Sequence, residues 1–216
     1  DTVDVATSTT SSASRVFAGG GNDVLIVGGG TVRAEGGDGE DSVTAYGGDT
    51  YPDLIVIGSA NQQYDSRSIV FNGQDPFQYD SIEHFTIDGR GNNDSVLIYL
   101  PATLSALLDP LTVVGGSGAD LVHVYGTDGR ELVIVDKDSS GKAVIKADGA
   151  LSVKVDQVET VNITLNGGND VVRFTAPPAS VQWNIAMGAQ EANGADVVDF
   201  SHAGLIGSVA LPSVSG

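Results

Sequence analysis

Six times in this chain a cluster of glycine, asparagine and small residues ends in an aspartate, and a Val- or Ile-rich run starts at the next residue or the one after. The stretches "VETVNITLNGGNDVVRF" (158–174) and "IEHFTIDGRGNNDSVLI" (82–98) each show an alternating strand-like run, the break, the aspartate and a second run. Alternation with period two marks a strand with one face buried, and Gly/Asn/Asp clusters are the chemistry of turns. A turn that recurs at one place, just before a strand, implies a chain that returns again and again to the same corner. The fold expected is therefore all-β, a parallel β-helix (solenoid) with Gly/Asp-rich turns. Tandem β-sandwich modules are the alternative, since two-sheet antiparallel domains also use short strands and polar turns.

Spacing supports the first form. The aspartates step by 18 residues from Asp23 to Asp41, and by 26 from Asp94 to Asp120 and from Asp170 to Asp196. The gap of 50 from Asp120 to Asp170 leaves room for two turns of the chain of about 25 residues each. The segment around Asp94 realigns on that around Asp170 with a constant offset of 76, which also places Glu83 on Glu159 and Asp120 on Asp196. Looser matches extend the pattern to the first third of the chain. The expected organisation is a linker-like segment, 1–15, followed by one β-solenoid domain, 16–216, of about two and a half units: 16–80, 81–156 and 157–216. The only helix candidate is "PATLSALLDP" (101–110), closed by proline at both ends.

Charge narrows the partners. With 28 acidic and 10 basic residues the formal net charge is −18, the wrong sign for nucleic acid or for an anionic membrane surface. No apolar run reaches the roughly 20 residues of a membrane-spanning helix, so no membrane insertion is expected. The sequence has no cysteine, and it begins without an initiator Met or signal peptide on "DTVDVATSTTSSAS", which reads as part of something larger. Most acids are Asp, several of them beside Gly and Asn, and oxygen-rich turns of that kind suit Ca²⁺.

Two turns fit Gly-Gly-x-Gly-x-Asp-x-Φ-x, where Φ is a large apolar residue: Gly36-Gly-Asp-Gly-Glu-Asp41-Ser-Val43 and Gly115-Gly-Ser-Gly-Ala-Asp120-Leu-Val122. The turn at 18–23 departs at one position, and those ending at Asp94, Asp170 and Asp196 depart at more. Through these motifs the chain resembles the RTX, or haemolysin-type, calcium-binding repeat proteins. The resemblance covers the turns and not the segments between them. It implies Ca²⁺ held between stacked turns by carbonyls and aspartates. The metal site it implies comprises Asp23, Asp41, Asp120, Asp94, Asp170 and Asp196, with Asn22, Gly20, Gly37, Gly39, Gly116 and Gly118. Asp49, Asp53, Asp136 and Asp138 read as solvated loop charges.

An enzyme is the main rival class, because some β-helices act on polysaccharides. No Gly-x-Ser-x-Gly, P-loop or His-Glu-x-x-His motif is present. His84, His123 and His202 lack ligand spacing, Trp183 reads as a core residue, and Glu83 and Glu159 recur where a catalyst would be unique. The function expected is an extracellular, Ca²⁺-stabilised structural or adhesive module of a large bacterial surface or secreted protein. Its partners would be calcium, neighbouring repeats of the same polypeptide, and cell-surface glycans or other surface proteins. A carrier or secretion module for an enzyme elsewhere in a longer chain, or a polysaccharide-active β-helix, are the alternatives.

Overall fold

The computed structural model describes residues 1–5, 14–28, 32–58, 68–73, 77–100, 111–148, 151–190, 195–201 and 209–210. Among them there is no helix; the candidate at 101–110 lies outside the described residues. The strands begin with β1 (Thr2–Val5), β2 (Ser14–Gly20), β3 (Val24–Gly28), β4 (Val32–Asp38), β5 (Ser42–Tyr46) and β6 (Leu54–Ile57). They continue with β7 (Ser68–Phe71), β8 (Phe77–Asp80), β9 (His84–Asp88), β10 (Ser95–Tyr99), β11 (Leu111–Val114), β12 (Leu121–Tyr125) and β13 (Leu132–Lys137). The last are β14 (Ala143–Ala147), β15 (Leu151–Asp156), β16 (Thr160–Gly168), β17 (Val171–Phe174), β18 (Gln182–Gln190), β19 (Val197–Asp199) and β20 (Val209–Ala210). Thr2–Val5, inside the stretch expected to be a linker, pairs with β3.

These strands form two mixed ten-stranded sheets with open edges, not a barrel. The first runs β1-β3-β5-β9-β11-β15-β14-β13-β17-β19 and the second β2-β4-β8-β7-β6-β10-β12-β16-β18-β20. Every pair is parallel except the four made by β7 and β14. Inward positions alternate with outward ones: in β12, Val122 and Val124 are fully buried while Leu121, His123 and Tyr125 are half-buried. Phe85 and Val113 of the first sheet share one apolar core with Ile98, Val124 and Ile163 of the second. Burial of each such side chain contributes about 1.5–3 kcal/mol before entropy is counted. Trp183 lies in this core, edge-on to Phe174, as its sequence context suggested.

Mostly the chain alternates between the sheets. It departs twice, into antiparallel triplets: β6-β7-β8 in the second sheet and β13-β14-β15 in the first. The interval between Asp120 and Asp170, expected to hold two equal turns of chain, contains the second triplet. The 76-residue offset (170 − 94) links strands of opposite sheets. It carries β9 and β11 of the first sheet onto β16 and β18 of the second, and β10 and β12 of the second onto β17 and β19 of the first. The triplets correspond in the same way. Each repeat therefore spans seven strands, of which the triplet stays in one sheet; the chain crosses between sheets five times from β6 to β13, an odd number, so the two sheets exchange roles.

Candidate functional site

An acidic residue stands immediately before each of the strands β3, β5, β6, β9, β10, β12, β13, β16, β17 and β19. These residues are linked side chain to backbone. The Asp23 N–H donates to Asp41 Oδ1 (2.8 Å) and the Asp41 N–H to Glu83 Oε2 (2.7 Å). In the second sheet the Asp53 N–H donates to Asp94 Oδ1 (2.7 Å), the Asp94 N–H to Asp120 Oδ1 (2.7 Å) and the Asp120 N–H to Glu159 Oε2 (2.7 Å). Back in the first sheet the Glu131 N–H donates to Asp170 Oδ1 (2.8 Å) and the Asp170 N–H to Asp196 Oδ1 (3.0 Å). Each carbonyl on the same residues accepts from the residue after the next acid, as Asp94 O does from the Leu121 N–H at 2.9 Å. Three columns of carboxylates thus run along the sheets, and the triplets mark where one column ends and another begins.

All six predicted aspartates belong to these columns. Asn22 caps alongside, accepting from the Glu40 N–H at 3.3 Å, as Asn93 does from the Ala119 N–H at 2.9 Å. Sequence reasoning missed Asp53 and Glu131 as members, and it noted the repeated position of Glu83 and Glu159 without placing them in the site. Asp53 is not a solvated loop charge: it is buried, and it accepts from the Gly48 N–H (2.7 Å) and Asn72 Nδ2 (2.6 Å). The available signal was its place directly before "LIVI", shared by Glu131 before "LVIV". Asp49 and Asp138 do hold surface ion pairs, with Arg90 and Lys154.

The glycines answer to the stacking. At Gly116 (φ +101°) and Gly118 (φ +152°) a Cβ would fall closer than 3.0 Å to the carbonyl oxygens of Arg90 and Asn92, in the turn one strand away. Gly37 and Gly39 meet Gly19 and Gly21 in the same way, whereas Gly20 faces open space. In the turn 89–94 the matching positions are Arg90 (φ 70°) and Asn92 (φ 82°), so the degenerate sequence keeps the left-handed backbone at a cost in strain. Arg90 offsets part of it by stacking on Tyr46, its guanidinium 3.7 Å from the ring centroid. A second set of glycines makes room for the carboxylates themselves. A Cβ at Gly36, Gly89 or Gly115 would lie closer than 3.0 Å to Oδ2 of the aspartate five residues on, Asp41, Asp94 or Asp120.

Those Oδ2 atoms are the unusual feature. In Asp23, Asp41, Asp94, Asp120 and Asp170, and at Oε2 of Glu131, one carboxylate oxygen is buried with no hydrogen-bond partner. Burial pushes the Asp94 carboxyl up to about 6, and it also raises Asp120, Glu131 and Asp170. Perturbed carboxyls often mark active sites. Here they repeat along a column inside the fold, without a cleft-specific partner, which is the pattern of a structural element.

Calcium requires six to eight oxygens at 2.3–2.6 Å. The carboxylates of the columns each have at least one oxygen engaged by an N–H, and in Asp41, Asp94, Asp120 and Glu131 the other oxygen lies closer than 3.0 Å to where a Cβ on the glycine five residues earlier would sit. Among the described residues no three His, Cys, Asp or Glu side chains converge on a point that could hold a metal ion. The carboxylates of the columns do not by themselves make up a calcium shell.

His84 sits 3.5 Å from Glu40 at the surface, and His123 bonds Thr164 and stacks on Tyr125; His202 lies outside the described residues. Comparison with protein families, curated proteins and solved structures finds no match to this chain.

Proposed function

We propose that the chain is a structural or adhesive repeat module of a large secreted or cell-surface protein, wound as a parallel β-helix whose two walls are the ten-stranded sheets. The observation that carries this reading is the exchange of sheets by a 76-residue unit, because such a unit can be added in series without changing its contacts. Neighbouring repeats of the same polypeptide are then the first partners. The chemistry of the columns is that of backbone stacking.

The likeness of the turns to RTX repeats implies calcium, and what supports a role for it is overall charge. A chain with 28 acids and 10 bases repels itself, and divalent cations screen that repulsion. On this reading Ca²⁺ acts at solvent-facing carboxylates, outside the columns.

Small-angle scattering tests the proposal. A rod is expected whose long axis matches ten strand spacings, about 45–50 Å. A globular profile of equal axes contradicts it, as does turnover of any member of a panel of neutral and acidic polysaccharides.

A further inference from the structure

We infer that the Gly-x-x-x-x-Asp turn in this chain is a metal-independent backbone cap that sets the stacking order of strands, although its sequence resembles a calcium-binding turn. The inference stands apart from the module's biological role.

Three observations carry it. First, the acceptor is a single carboxylate oxygen at 2.7–3.0 Å from a buried N–H, and it comes from the residue before the neighbouring strand each time. Second, Glu does the same work as Asp. Glu83 and Glu159 reach the N–H groups of Asp41 and Asp120 from a longer stem and supply the same single-oxygen acceptor. Third, the second and third columns open on residues whose acceptor oxygens are engaged by groups other than a preceding acid of a column. Asp53 is held by Gly48 and Asn72, and Glu131 by the N–H and hydroxyl of Thr127. Both stand before the first strand of an antiparallel triplet, so each triplet closes one column and starts another on the opposite sheet. The column is thereby a register device: a strand lacking an acid at its start cannot extend it.

The unpartnered Oδ2 then has a plain consequence. The acceptor oxygen is needed and the charge is not. Asp94→Asn keeps an acceptor for the Asp53 N–H and puts an amide on the side of Asp94 where the Gly115 carbonyl also lies. Asp94→Ala leaves the Asp53 N–H buried and unmade. Thermal melts of both variants and the parent are compared in excess EDTA and in millimolar Ca²⁺. Asp94→Asn is expected to melt at or above the parent temperature in EDTA, with the same response to Ca²⁺. Asp94→Ala is expected to melt lower by about 3–10 °C. Should Asp94→Ala fail to fold, the Asn variant alone decides. The inference is overturned if Asp94→Asn abolishes a Ca²⁺-dependent rise that the parent shows, or if it melts as low as a variant without the acceptor.

Discussion

Gly116→Ala is expected to lower the melting temperature by about 10 °C, while Gly20→Ala leaves it nearly unchanged. Gly116 stands four residues before Asp120 and Gly20 three before Asp23, in related turns, and the two differ in backbone conformation and in what lies beside them. A methyl group at Gly116 would fall closer than 3.0 Å to the Arg90 carbonyl oxygen, a backbone atom of the neighbouring turn that has no rotamer to escape into. The backbone there also has φ +101°, which L-residues other than Asn and Asp rarely adopt. Strain of about 1–3 kcal/mol adds to overpacking of about 1–3 kcal/mol, and each kcal/mol moves the transition by about 2–4 °C in a chain of this length. At Gly20 no atom lies within 4 Å of the added carbon and φ is not positive. Calorimetry on the two variants checks both numbers. Equal losses would mean that the turns do not stack as described.

Mild acid is expected to stabilise the protein. The Asp94 carboxyl has its folded pKa raised to about 6 from 3.8, chiefly by burial, with Asp53, Asp120 and Asp88 adding like charge around it. A group that holds its proton more tightly in the fold favours folding as protons become available. The contribution therefore grows as pH falls through about 6 and is complete below 3.8. Between pH 7.5 and 5 Asp94 alone supplies about 1–2 kcal/mol, or about 3–6 °C. Burial moves Asp120, Glu131 and Asp170 the same way, so the observed rise should exceed that of one group. The opposite sign applies to Asp138 and Asp199, whose carboxyls are held low by the partners that bond them: Lys154 and Ser140 for Asp138, Ser201 and Arg173 for Asp199. Their support is lost only as pH drops below about 4, which sets the acid limb. A melting profile that falls steadily from pH 7.5 to 5 would contradict the buried columns.

Much of this organisation was legible before the structure. An aspartate directly before a Val/Ile run gave the strand starts, because a cap must precede the backbone it caps. The 76-residue offset gave the repeat. What stayed hidden was non-local. "SIVF" and "AVIK" read as strands, yet nothing in either shows that β7 and β14 run antiparallel to the rest, since the direction of a strand is set by its neighbours. The exchange of sheets was hidden for the same reason. Glu131 was missed because a motif built on glycine and aspartate excludes a glutamate, whereas an N–H donor is satisfied by either carboxylate, and Asp53 because Tyr51, followed by Pro52, stands where the motif has glycine. The turn at 89–94 looked degenerate in sequence, but Arg90 and Asn92 keep a positive φ, as the glycines at 116 and 118 do.

Amide hydrogen exchange in the presence of EDTA tests the central claim most directly. The N–H groups of Asp23, Asp41, Asp53, Asp94, Asp120, Glu131 and Asp170 lie in turns, where amides ordinarily exchange fast. With each bonded to a carboxylate of the neighbouring strand and no metal present, they should be protected as strongly as core amides such as those of Val122 and Ile163. Exchange at the rate of exposed turns in EDTA, with protection appearing only when Ca²⁺ is added, would show that the columns are calcium sites and that the account is wrong.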